Sequence, residues 1–139
     1  MKEIGIVNRH IAAAISEQGH GDLLLVTDAG FAIPKHVEVI DISLAKNVPM
    51  VMDLLEELNK FFSVEKMYMS KETEEISPSH FKKVSAAFGE NVEVETLPHA
   101  EMKKLSREVK AAIRTGDFTA YGNVILVSGA GDRWYCEVE

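Results

Sequence analysis

Cysteine is nearly missing from this chain: Cys136 stands alone among 139 residues, so no internal disulfide can form and no cysteine pair is available for a structural zinc site. Long apolar runs are missing too. The longest, such as residues 23–26, fall far short of the roughly 20 residues a membrane-spanning helix needs. Asn8, Arg9 and His10 arrive before a signal-peptide core has room to develop. No basic run occurs, and 15 Lys and Arg against 22 Asp and Glu leave a net charge of -7, which argues against a nucleic-acid or anionic-membrane partner. The lone thiol and the lack of a targeting segment point to the cytoplasm. There is no lysine-bearing phosphate loop, no nucleophile elbow, and no helical i, i+4 pair among the five histidines, so neither a nucleotide nor a metal is indicated. Gly129-Ala130-Gly131 reads as a turn, because no βαβ unit follows it. What is present is 46% hydrophobic and 27% charged residues without repeats or linkers, the make-up of one globular domain over 1–139.

Apolar periodicity then switches between two types, which places the elements. Asn8 is suited to cap a helix with Ile11, Ala12 and Ile15 on its face, and Gly19 to supply the left-handed residue that ends it. The apolar run 23–27, bounded by Gly21-Asp22 and Asp28-Ala29-Gly30, predicts a buried central strand. A second strand is expected over 37–41, after the loop that Pro34 marks. Pro49 sits at a helix start, and Val51, Leu54, Leu55, Leu58, Phe61 and Phe62 recur at helical spacing. Residues 66–70 read as a strand. Ser77-Pro78 opens a helix with Phe81, Val84 and Phe88 on one face, closed by Gly89. Val92, Val94 and Leu97 mark another strand, and Pro98 opens a helical stretch running to about 114, either continuous or broken in its middle, that Thr115-Gly116-Asp117 ends. Residues 124–127 form the last buried strand, with 134–138 a weaker edge candidate. Strands separated by helices imply an α/β fold, a three-layer α/β/α sandwich with a mostly parallel sheet.

In such sheets ligands collect outside the carboxyl ends of the strands, which makes Asp28 a candidate. A strand-end aspartate also initiates turns through its own side chain, and spacing alone leaves the two accounts level. Gly19-His20-Gly21-Asp22 sets an imidazole between two glycines beside a helix end, where backbone can approach a ligand and a proton donor can sit. The plainer account makes Gly19 a cap, His20 a solvated loop residue and Asp22 a turn former. His99, after Pro98, fits a helix-start residue, and Tyr121-Gly122-Asn123 fits a turn. Tyr121 and Asn123 are nonetheless types that bind sugar hydroxyls, because each both donates and accepts hydrogen bonds without adding charge. His10, His36 and His80 read as surface residues, and Cys136 as a small apolar one.

Taken together the chain resembles the D-ribose pyranase family, which includes the related L-fucose mutarotases. The resemblance rests on Gly19-His20-Gly21-Asp22, Asp28-Ala29-Gly30-Phe31-Ala32-Ile33-Pro34, Asn47-Val48-Pro49, and Ile113-Arg114-Thr115-Gly116 leading to Tyr121-Gly122-Asn123-Val124-Ile125-Leu126. It implies that His20 is the catalytic acid and that Asp28, His99, Tyr121 and Asn123 bind the sugar, with Asp28 orienting His20 or accepting a hydroxyl hydrogen bond. It implies no cofactor and no metal. It further implies a homo-oligomer, commonly a decamer of stacked rings, with each site at a subunit boundary. The Phe31 loop and His99 look like the ribose branch, while Ala32, Gly122 and the 131–139 tail depart from its usual pattern. The implied reaction interconverts the pyranose and furanose forms of free D-ribose through the open-chain aldehyde. The rivals are an L-fucose mutarotase and a non-catalytic sugar-binding accessory of a transporter.

Overall fold

The computed structural model describes residues 1–138; Glu139, the last residue of the expected domain and of its tail, lies outside the described residues. Asn8 caps helix α1 (Arg9–Glu17), its side chain accepting the main-chain N–H groups of His10 and Ile11. This satisfies two of the donors a helix start leaves unpaired. Strand β1 (Leu23–Thr27) follows, then β2 (Glu38–Asp41), α2 (Val51–Phe61), β3 (Val64–Ser70), α3 (Lys71–Ile76) and α4 (Pro78–Ser85). The chain ends with β4 (Glu93–Leu97), α5 (His99–Leu105), β5 (Ala111–Arg114) and β6 (Val124–Ser128). The strand order is β2-β5-β1-β6-β3-β4. Only β6 is reversed: β1–β5, β2–β5 and β3–β4 pair in parallel, while β6 runs antiparallel to both β1 and β3.

Successive residues of a strand face opposite ways, and β1 and β6 show what that does here. Leu24, Val26, Val124 and Leu126 join the larger core, where Ile11 of α1, Leu54, Leu55 and Leu58 of α2, and Val84 of α4 pack against the sheet. Leu25 and Ile125 face the other way, into a smaller core closed by Met102 of α5, Val37 and Val109. The sandwich is thus three layers of unequal thickness. Each fully buried aliphatic side chain of this kind contributes about 1.5–3 kcal/mol, so both cores are needed.

Four expectations fail. The helical stretch 98–114 stops at Leu105, passes through a 3-10 turn (Ser106–Glu108) and becomes β5, the strand between β2 and β1. Alanine favours helix locally, but Ala111 and Ile113 fill the larger core while Ala112 fills the smaller, and that two-sided burial overrides propensity. The edge strand over 134–138 does not form, and those residues are exposed coil. Gly19 does not end α1 in the left-handed region; Gln18 is already extended, and the positive φ falls at Gly21 (+91°). Pro49 also lies two residues before α2, whose N-cap is Met50. Helix α3, capped by Ser70, was not foreseen.

Candidate active site

Because β6 is antiparallel to β1, with Val26 opposite Val124, the end of β1 lies beside the start of β6. That brings Asp28 to Asn123 across 95 positions of sequence: the Asp28 N–H donates to the buried Asn123 Oδ1 at 2.8 Å. The Asp28 carboxylate accepts the N–H of Gly30 at 2.9 Å and that of Gly122 at 3.3 Å. Asp28 therefore acts as the turn former expected of it and is tied to Asn123 and Gly122 as well. Tyr121 adopts a positive φ of 54°, and its carbonyl accepts the Thr73 hydroxyl at 2.6 Å, which ties the turn to α3. Glycine is required next, since a Cβ at Gly122 would lie 2.9 Å from the Thr119 carbonyl oxygen.

His99 opens α5, its main-chain N–H held by the Glu72 carboxylate at 2.9 and 3.2 Å. Its ring stands edge-on to Tyr121 (centroids 5.0 Å apart, 82°) and to Phe31 (6.0 Å, 86°), the geometry that aromatic quadrupoles favour. Asp28, Phe31, His99, Tyr121 and Asn123 share one cavity of about 470 Å³, within the range of small-molecule sites. Two charged lining residues escaped the sequence reading. Lys103 lies four positions after His99, so helical spacing alone would have put it on the same face. Asp117 was read as part of a turn; it is buried, its carboxylate accepting the N–H of Val51 at 2.9 Å and of Thr119 at 2.8 Å. The loop that carries it is held by Asn47, whose N–H donates to Gly116 and whose Oδ1 accepts the Phe118 N–H. The Asn47-Val48-Pro49 motif thus braces the site from behind.

His20 is elsewhere. It precedes β1 whereas Asp28 follows it, and the five residues of β1 at about 3.3 Å each put roughly 16 Å of strand between them. Within one copy Asp28 cannot orient His20. The His20 ring, 68% exposed, sits in a second cleft with Gln18, Phe61, Ser128, Arg133 and Trp134, its Nε2 3.1 Å from Glu65 Oε2. Asp22 does act as a turn former: the Gly19 amide, then Lys110, holds its carboxyl below the usual range. His36 and His80 bond the carbonyls of Arg107 and Gly122, and Cys136 is exposed. Among the described residues no group of three or more His, Cys, Asp or Glu side chains is placed to hold a metal ion, and no helix is long and apolar enough to cross a membrane.

Fold and cavity together describe a single α/β domain with a pocket that offers hydrogen-bonding groups and an aromatic row, a combination suited to a small polyhydroxylated molecule. The chain belongs to the RbsD / FucU transport protein family, whose model matches residues 1–131. A D-ribose pyranase of Lactobacillus johnsonii is 42% identical over 129 residues, covering 93% of this chain and 98% of its own. One from Pseudothermotoga lettingae is 38% identical, covering 93% and 92%. The structure of Bacillus subtilis RbsD complexed with D-ribose superposes with a TM-score of 0.89 at 37% identity, over 94% of this chain and 99% of that one. The fucose mutarotase of Streptococcus pneumoniae in complex with L-fucose, at 16% identity and a TM-score of 0.74, shares the fold.

Proposed function

We propose that this protein is a D-ribose pyranase, an isomerase that interconverts the six- and five-membered ring forms of free D-ribose. The observation that carries this is the convergence of Asp28, His99, Tyr121 and Asn123 on one cavity in a chain so similar to D-ribose pyranases along nearly its whole length. Asp28 accepts a sugar hydroxyl, Asn123 and Tyr121 donate to or accept from others, and His99 packs beside the ring. Ring opening breaks the bond between C1 and the ring oxygen. Its electron pair goes to that oxygen, which takes a proton from His20, while the anomeric hydroxyl gives its proton to water and becomes the aldehyde carbonyl. Attack of a different hydroxyl on C1 closes the other ring. A positioned acid–base group contributes about 10²–10⁴-fold to such a transfer.

Since His20 and the cavity lie at opposite ends of β1, the complete site takes its imidazole from a neighbouring copy. The protein is accordingly a homo-oligomer with sites at its subunit boundaries, and a decamer of stacked rings is the arrangement expected. It works in the cytoplasm, in keeping with its single, exposed thiol.

NMR saturation transfer between the pyranose and furanose signals of ribose tests the assignment. Exchange is expected to exceed its spontaneous rate with the native protein and to return to it with His20→Ala. Bound ribose without accelerated exchange would make the protein a sugar-binding accessory, and faster anomer exchange on L-fucose than ring exchange on ribose would make it a mutarotase.

A further inference from the structure

Against the His20 ring stands a carboxylate that the proposed reaction does not use. Glu65 lies on β3, its side chain only 36% exposed, with Oε2 3.1 Å from His20 Nε2. Two strands meet to place it. The Glu65 carboxyl group lies against Gly129, just past the end of β6, where a Cβ would overlap it. The backbone there is fixed, because Gly129 donates its N–H to the Ser63 carbonyl at 3.2 Å and Gly21 donates to the Ser128 carbonyl at 2.7 Å. The same short bond holds the His20-Gly21 turn against the end of β6. A glycine at 129 is therefore what lets a carboxylate reach across β6 to the imidazole.

We propose that Glu65 is a positioning residue for His20: it takes the Nε2–H and fixes the ring orientation, so that the imidazolium gives its Nδ1 proton to the sugar's ring oxygen and is left as the neutral Nε2–H tautomer, whose Nδ1 takes a proton back when the ring recloses. A carboxylate accepting from one ring nitrogen is the ordinary device for selecting a histidine tautomer. The other charged groups near the ring are engaged. Arg133 donates to the carbonyls of Asn59, Lys60 and Phe62 at the end of α2, and Asp22 and Lys110 pair with each other. Among the described residues, Glu65 is the carboxylate within ion-pair distance of the imidazole.

This inference rests on the assignment of His20 as the acid, and two measurements separate the two. In the assembled native protein, ¹⁵N NMR of the imidazoles is expected to show neutral His20 protonated at Nε2. Glu65→Gln, whose amide oxygen still accepts, is expected to keep that tautomer; Glu65→Ala and Gly129→Ala are expected to lose it. In ribose exchange, kcat is expected to fall roughly ten-fold in Glu65→Ala with KM unchanged and to be largely restored in Glu65→Gln, a part of what the acid–base group supplies. An unchanged tautomer in Glu65→Ala, or an unchanged kcat, overturns the proposal. A folded native protein that leaves ribose at its spontaneous rate overturns the pyranase assignment instead, and the tautomer measurement still decides the role of Glu65.

Discussion

Mixing two inactive variants is the sharpest test of where the site is assembled. His20→Ala removes the imidazole and leaves the cavity; Asp28→Asn alters the cavity and leaves the imidazole. If both residues served the same copy, co-assembly would restore nothing, since every copy would lack one of them. The roughly 16 Å spanned by β1 makes that arrangement impossible, because an imidazole extends less than half as far from its own backbone. In assemblies formed from equal amounts of the two variants, about half of the cavities keep Asp28 and about half of the neighbouring imidazoles are present, so about a quarter of the sites are intact. Each parent is expected at or near the spontaneous rate, a loss of about 10²–10⁴-fold for the imidazole variant. Co-expression with two different affinity tags and tandem purification gives the mixed assembly, and ribose exchange by saturation transfer reads it. Recovery to about a quarter of native activity supports the two-copy site. Mixed assemblies that stay at the parental background, with native-like circular dichroism and assembly size, refute it.

Two further expectations concern the scaffold. Gly116→Ala would drive a methyl into the Ala45 carbonyl oxygen and to 2.7 Å from that of Val48, both main-chain atoms, so urea denaturation is expected to show a loss of about 3 kcal/mol or more, and a loss under about 1 kcal/mol would show that the 45–48 turn yields freely. Asp41 is held below the usual carboxylate range first by the Ser43 hydroxyl, with Arg114 adding to it; a lowered folded-state pKa means its stabilisation is complete above the ordinary aspartate range and lost as pH falls through the lowered value. Asp41→Asn is therefore expected to shrink the fall in Tm between about pH 5 and pH 3 and to leave its slope near neutrality unaltered.

How much of this was legible in the sequence follows from which physics is local. Strands β1 and β6 and helix α2 announce themselves because burial on two faces gives an unbroken apolar run and burial on one gives helical spacing. Strand β5 does not, since Ala111 and Ala112 carry no β signal of their own and become strand only because β1 and β2 offer them partners. Asp117 is similar: its residue type suggests a turn, and only the fold reveals that its carboxylate meets the start of α2.

The separation of His20 from Asp28 belongs to a different category. Both residues flank a segment that reads as a strand, one before it and one after, and a strand of five residues cannot bend back on itself to join its own ends. The order histidine, strand, aspartate therefore already excludes a site in which one copy supplies both, provided both take part in the same reaction. An oligomer enters the sequence reading only through resemblance; the length of β1 adds that one copy does not bring His20 to Asp28. Two polar groups divided by a buried strand serve either two sites or two copies. The cavity around Asp28 holds no imidazole but His99, which is packed between Phe31 and Tyr121, and the cleft around His20 offers no aspartate, so each half has what the other lacks.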